Sequence, residues 1–403
     1  MTSELDLVVV GGGPAGMMAG LLFARAGCRV KVLEKHADFF RDFRGDTVHP
    51  STMEILDQLG MLHRFLKRPH NELRSAELEL AGRRWKIGDL SHLPTPAPFI
   101  AMMPQWDFLD FLRDEAAAFP GFSLELEAPV DGFLQDGDRV DGVRLRDGRE
   151  FRSRLTIAAD GRDSLVRQLQ MLPVEVLGAP MDVFWFRVAK RPSGDRLRGS
   201  FERGRLLVLI DRGDYWQCAL VIPKGAAEKL KAEGIGPIRD AVHAAAPDVD
   251  LSDLDGVDDL NLLSVALDRL TKWYRPGLLA IGDAAHAMSP IGGIGINLAI
   301  QDAVAAANAL AGPLAQGENV DPLLHKVQNR RMFPTRVIQR GQKLAQDKII
   351  GRLLEPGEPI PKAPLLIRLL DRFELLQRIP GRLIGLGVRR EAVKSPAQPP
   401  PGG

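Results

Sequence analysis

An apolar run, Leu5-Asp-Leu-Val-Val-Val10, feeds directly into the turn Gly11-Gly-Gly-Pro-Ala-Gly16. Leu7 to Val10 suit a strand buried on both faces, as a parallel sheet requires. Gly11, Gly13 and Gly16 keep the Gly-x-Gly-x-x-Gly spacing. The first glycine allows the tight turn and the second lets backbone approach a pyrophosphate. The third lets the following helix pack closely, and that helix's N-terminus attracts phosphate charge. A helix is expected from Pro14 through Ala15 and Gly16 to Ala26, stopping at Gly27. A second strand, Arg29 to Leu33, ends in Glu34 and Lys35. Glu34 stands 23 residues after Gly11, where an acid grips a ribose hydroxyl. A chain that opens this way is committed to a doubly wound α/β sheet holding a dinucleotide.

At 403 residues the chain exceeds a single small core, so two domains or one elaborate α/β domain are expected. A net charge of +1 leaves no excess of cations to neutralise phosphates, which excludes nucleic acid as the main partner. Cys28 and Cys218 form no Cys-x-x-Cys pair and fit a reducing cytoplasm. The eight histidines lack metal-ligand spacing, so no metal site is expected. The first strand begins too early to leave room for a signal peptide, and no apolar run approaches the roughly 20 residues that span a bilayer.

After the opening unit come a helix over Trp106 to Phe119 and strands at Ser123 to Glu127, Val140 to Leu145 and Leu155 to Ala159. Short extended pieces at Ala76 to Leu80 and Arg84 to Ile87, and a longer block from Met181 to Val221, have no helices between their strands. They predict an antiparallel sheet. The opening style returns at Gly277-Leu-Leu-Ala-Ile-Gly-Asp283, followed by an alanine-rich helix, Asn297 to Ala311, closing at Gly312-Pro313. The expected fold is therefore a Rossmann-like nucleotide domain (1–72, 100–180 and 276–340) with an inserted, mostly antiparallel β domain for substrate (73–99 and 181–275). C-terminal helices follow over 341–392, and the Pro/Gly-rich tail, 393–403, is expected to be disordered.

Three distant segments share one design, a buried strand ending at a glycine: Val10-Gly11, Ala159-Asp160-Gly161 and Ile281-Gly282-Asp283. Ligands of open α/β sheets gather at the carboxyl ends of strands, so the three can converge on one molecule. Each aspartate alone could equally cap a local turn. The glycines of Pro290-Ile-Gly-Gly-Ile-Gly-Ile-Asn297 let backbone lie against a flat ring. The helix starting there would point a positive dipole end at that ring, which suits a flavin that becomes negative on reduction. His286 within this stretch is either a base or a locally packed residue.

Together these residues resemble the flavin-dependent aromatic hydroxylases of the p-hydroxybenzoate hydroxylase type, over nearly the whole chain and in the same order. The resemblance implies FAD as cofactor, with Glu34 on the adenosine ribose and Asp283 on the ribityl chain. Pro290, Gly293, Gly295, Ile296 and Asn297 would pass beside the isoalloxazine. It implies that Arg44 lies near the FAD pyrophosphate and a transient nicotinamide cofactor, that Gln105 faces the ribityl-phosphate side, and that Asp160 serves FAD and NAD(P)H. The implied activity is hydroxylation of an aromatic or polycyclic small molecule with NADPH or NADH and dioxygen, by a monomer or homodimer. A second dinucleotide turn, a Cys-x-x-Cys and a halogenase-type Trp-x-Trp-x-Ile-Pro stretch are all missing. A reductase or halogenase of the same fold, or a non-catalytic FAD-fold carrier, are the rival functions.

The aromatics of Asp182-Val-Phe-Trp-Phe-Arg187 and Tyr215-Trp216 could stack on a planar substrate or simply form core. His49 is a candidate proton carrier. Leu366, Leu369, Leu370, Phe373 and Leu376 share one helical face opposite charged residues, and 368–390 holds six arginines against two acids. That helix either packs on its own protein or touches a membrane surface.

Overall fold

In a computed structural model the chain is described over residues 5–40, 47–80, 83–190, 197–202, 205–247, 249–351 and 363–398. The opening strand, Leu5–Val10, lies between Val30–Leu33 and Glu150–Ala158, parallel to both. Phe122–Glu125 extends the sheet on one side and Leu278–Ala280 on the other, also in parallel. Val8, Val9, Thr156, Ile157, Leu278 and Leu279 are fully buried, because helices cover both faces. The strand that runs up to Gly11 is thus central, with chain connections leaving to either side, and the sheet's carboxyl edge there is a switch point.

The first helix, Pro14–Arg25, ends as its residues dictate: Ala26 caps it and Gly27 takes φ +95°. It packs against the long helix Gly295–Ala315, which is rich in buried alanine. The long helix runs past Gly312-Pro313 to Ala315 rather than closing there, since Arg154 donates to the Leu314 carbonyl (2.9 Å) and Gln316 N–H to that of Gly312 (3.1 Å). Against the expectation, the segment Ile291–Ala315 is apolar and long enough to cross a bilayer by composition, but 72% of its most apolar window is buried inside the protein.

The second sheet has the order Asn261–Leu263, Met181–Ala189, Tyr215–Pro223, Arg205–Asp211, Leu197–Glu202, Ser75–Leu80, Arg83–Asp89. It is antiparallel except where Leu197–Glu202 meets Ser75–Leu80. Its outer face, with Phe184, Phe186, Trp216 and Leu220, packs under Ile238 and Val242 of the helix Gly236–Ala245. Its inner face, with Met181, Val183, Trp185 and Val208, packs toward Ile291.

The C-terminal helix expected as one piece is two, Leu365–Arg372 and Glu374–Leu386, because Phe373 is extended and Gln377 Nε2 donates to the Leu370 carbonyl left open at the break (2.9 Å). The tail expected to be disordered is ordered as far as residue 398. Asn308 Oδ1 accepts from the Lys394 and Ser395 amides (2.7 and 2.8 Å), and Gln398 N–H donates to the Arg25 carbonyl (2.9 Å). A Pro-rich segment can be fixed when its few remaining amides find partners.

One buried ionic cluster joins these layers. Asp302, in the middle of the long helix, accepts from Gly282 N–H (3.1 Å), His286 Nε2 (2.6 Å) and Arg331 Nε (2.8 Å). Arg331, on the helix Leu324–Ala345, also donates to Glu391 (3.2 Å) and the Arg389 carbonyl (3.1 Å). Asp302 and Arg331 are fully buried. Burial alone would raise the Asp302 carboxyl, but His286 and Arg331 hold it below the usual carboxylate range. Asp302→Asn leaves Arg331 with Glu391 as its one buried counter-charge, so we expect a loss of about 3–5 kcal/mol in denaturant unfolding. Replacing Asp302 and Arg331 together by apolar residues should cost less than the single change, which the same measurement reads.

Candidate active site

The four strand ends at the sheet's carboxyl edge bring together the segments singled out by sequence. Val10 is level with both Leu33 and Ala158, and Ala158 with Ala280, so Gly11, Glu34, Asp160 and Gly282 leave their strands side by side. A Cβ on Gly16 would collide with the Gly11 carbonyl, and one on Gly11, at φ +100°, with Ala159. A Cβ on Gly13 would meet nothing within 4 Å, so the space above the turn is open. The helix behind it has no side-chain cap at Gly13 and no acid in its first turn, and its free N–H groups face that space. Glu34 is nearly buried. Its carboxylate accepts from Gly12 N–H (2.9 Å) and His36 N–H (3.1 Å), which pins it beside the turn. Lys35, next along, is exposed.

Asp160 accepts from Leu165 N–H (2.8 Å) through one oxygen, while its other oxygen is buried with no protein partner. Burial pushes its carboxyl up, with the Ser164 hydroxyl and Leu165 amide opposing. Asp283 is half-buried and accepts from Arg162 Nε (3.1 Å). Arg167 donates to the Ala284 carbonyl (2.9 Å), the Asp283 carbonyl (3.2 Å) and Asp268 (2.6 Å). The turn Gly282–Ala284 is thereby held from below by Asp302 and from the side by Arg162 and Arg167. Sequence reasoning missed these two arginines and Asp302. Arg162 follows the Asp160-Gly161 pair directly, a proximity that could have flagged it, but the partners lie more than 100 residues away.

Downstream, Pro290 leads the turn Ile291–Gly293, with Gly292 and Gly293 at φ +78° and +61°. A Cβ on Gly293 would collide with Thr47, whose hydroxyl donates to the Gly293 carbonyl (3.0 Å). The helix then begins at Gly295 without a side-chain cap, and Ile296 packs at the core's edge. The Asn297 side chain is committed to the protein: its Oδ1 accepts from His49 N–H (2.8 Å) and Thr52 Oγ1 (2.8 Å), and its Nδ2 faces the Thr47 and Gly293 carbonyls. It bolts the loop to the Pro50–Gln58 helix and leaves only backbone for a ligand. Gln105 opens the helix Gln105–Ala116. Arg44 lies outside the described residues. Among the described residues no cluster of His, Cys, Asp and Glu is arranged to hold a metal.

Both candidate histidines are buried and engaged with the protein. His286 Nε2 lies 2.6 Å from Asp302. His49 is fully buried, its Nδ1 is 2.8 Å from the Ile384 carbonyl, and burial pushes its pKa down to about 4. It is neutral near pH 7 with the proton on Nδ1, and it ties the C-terminal helix to the flavin-side loop.

The open glycine turn, the uncapped helix end, the unmatched Asp160 oxygen and the half-exposed Asp283 carboxylate fit an FAD laid along the strand ends. The FAD binding domain family matches residues 4–341, and the chain belongs to this family of FAD-dependent monooxygenases. It is 33% identical over 386 residues to 6-methylpretetramide 4-monooxygenase of Streptomyces rimosus, covering 94% of this chain and 92% of that one. It is 26% identical to para-nitrophenol 4-monooxygenase of a Pseudomonas species, covering 81% and 83%. In fold it matches the crystal structure of p-nitrophenol 4-monooxygenase from Pseudomonas putida with a TM-score of 0.79 at 21% identity, over 97% of this chain and all of that one. The protein is an FAD-dependent oxidoreductase that hydroxylates an aromatic small molecule, with NAD(P)H as the family's reductant.

Asp283→Ala should weaken FAD binding to the apoprotein about tenfold or more, since a hydrogen bond to a charged group is worth about 1.5–3 kcal/mol. Quenching of flavin fluorescence on titration reads the loss, and Asp283→Asn should fall between. For His49 the folded value lies below the unfolded one, so its contribution to stability is complete above about pH 6.5 and is lost as pH falls toward 4. Between pH 7 and 5 wild type should lose about 2 kcal/mol more than His49→Gln in matched denaturant titrations.

Proposed function

We propose that the substrate is a fused-ring phenol or similar polycyclic aromatic, seated between the Pro290–Asn297 loop and the inner face of the seven-stranded sheet. The observation that carries this reading is Trp185. Its indole N–H is buried without a partner on a face it shares with Val183, Val208, Ile210 and Met102. A largely apolar wall with two buried unmatched donors, the Trp185 indole N–H and Gln217 Nε2 on the same face, suits a broad ring system bearing oxygen acceptors. The neighbouring aromatics Phe184 and Phe186 point to the opposite side and serve as core. Greater identity to the relative named for 6-methylpretetramide than to the one named for para-nitrophenol supports the larger substrate.

Bound FAD, reduced by NAD(P)H, supplies an oxygen atom from dioxygen for transfer to the ring. The chain's own part is to hold the ring plane with the sheet face, keep water out, and set the uncapped end of the long helix against developing negative charge on the flavin. The sequence carries a single dinucleotide turn, so NAD(P)H meets the flavin transiently, and Arg44 is the cation assigned to its phosphates by resemblance.

Steady-state NAD(P)H oxidation against a panel of fused-ring and single-ring phenols tests this reading. Fused-ring phenols should stimulate oxidation at least about tenfold better, judged by kcat/KM, and isotopic oxygen should pass from dioxygen into product. Trp185→Phe should raise KM about tenfold, the worth of one hydrogen bond to a buried donor, with little change in kcat. Preference for p-nitrophenol, or product without isotopic oxygen, would overturn the proposal.

A further inference from the structure

The two C-terminal helices bury one face and leave the other bare. Inward, Gly381 packs against the Asp89 backbone, and Leu386 joins Leu90, Leu93 and Ile210. Outward, Leu365, Leu366, Phe373, Leu375, Ile379 and Leu383 are exposed, Leu375 at 71% and Ile379 at 67%. Leu375, Ile379 and Leu383 recur every four residues and so form one stripe along Glu374–Leu386. Arg378 and Arg382, both exposed, run beside that stripe, as Arg368 and Arg372 run beside Leu365 and Leu366 on the preceding helix. The acid Asp371 is answered by Arg83 of the edge strand (2.9 Å) and by the Lys86 amide (3.0 Å). The bare face therefore presents four arginines against one glutamate, Glu374.

We propose that this face binds reversibly to an anionic lipid surface. The apolar stripe would lie among acyl chains and headgroups, while the arginines' long stems carry their guanidinium groups up to lipid phosphates. Charge decides between this occupant and a second copy of the chain. A two-fold contact through the same face would set each arginine row against its own counterpart, whereas an anionic surface attracts all four. Ile384 and Leu386, on the inward side of the same helix, belong to the cluster that includes Trp185. The lipid contact thus lies about one helix diameter, roughly 10 Å, from that cluster.

Sedimentation of the FAD-loaded protein with vesicles tests this directly. Phosphatidylglycerol-containing vesicles should take up the protein at least about tenfold better than pure phosphatidylcholine vesicles, and high salt should erase the difference. Arg378→Gln with Arg382→Gln should weaken uptake about 25-fold, at about fivefold per arginine. Leu375→Ser, Ile379→Ser and Leu383→Ser combined should abolish it. Unchanged flavin absorbance and melting temperature would show that these surface variants remain folded. Equal uptake by both vesicle types, or variants that bind as wild type does, overturns the proposal. So does a wild-type dimer in sedimentation velocity that the triple serine variant turns into a monomer, since a second copy would then cover the stripe.

Discussion

The buried Asp302 carboxylate is the point at which the layers of this protein are joined. A charge taken fully out of water must be matched on every side, and here the partners come from three separate stretches of chain: the Gly282 amide with His286, Arg331 and, through Arg331, Glu391. Each stretch is placed by a different part of the fold. The carboxylate therefore fixes the height of the Gly282–Asp283 turn against the long helix, and fixes the C-terminal segment against both. Loosening it would disturb the cofactor edge without touching any residue that faces the cofactor.

The site that results is built more from backbone than from side chains. Glycine at 11, 13 and 16 makes the open turn, and glycine at 292, 293 and 295 makes the loop beside the ring system. The side chains near them are largely occupied in holding that backbone still. Asn297 is spent on Thr47, His49 and Thr52, and Arg167 on the carbonyls of the Gly282–Ala284 turn. This division suits a redox cofactor that carries its own chemistry, since the protein then needs only orientation, electrostatics and exclusion of water. It also fits a His49 that serves structure, pushed to about 4 and bonded to the Ile384 carbonyl.

The nucleotide half of the fold could be read locally because its signals are local: a buried strand, a glycine turn, a helix stop and an acid, all within residues 5 to 34. The ends of elements were less legible. Pro313 sits inside a helix because Arg154, a distant residue, bonds the carbonyl beyond it. The Pro-rich tail is ordered because Asn308 and Arg25 supply partners that composition does not reveal. In the Met181–Ala189 strand, alternation alone left the roles of the aromatics open, and only the packing of helices on one face decided that Phe184 and Phe186 are core while Trp185 faces the loop.

The sequence by itself determined the class of fold, the dinucleotide turn, the three strand-end motifs and the family, because backbone geometry demands particular residues at fixed spacing wherever a phosphate or a flat ring must approach. Tertiary structure alone decided which charges meet. Arg162 with Asp283, Arg331 with Asp302 and His49 with Ile384 are separated by 121, 29 and 335 residues, and no local pattern encodes such pairs. It also decided which face of the C-terminal helices stays bare. The amphipathic pattern announces two faces, but only the packing of Gly381 and Leu386 against the edge strand and the residues that follow it shows which of them the protein covers.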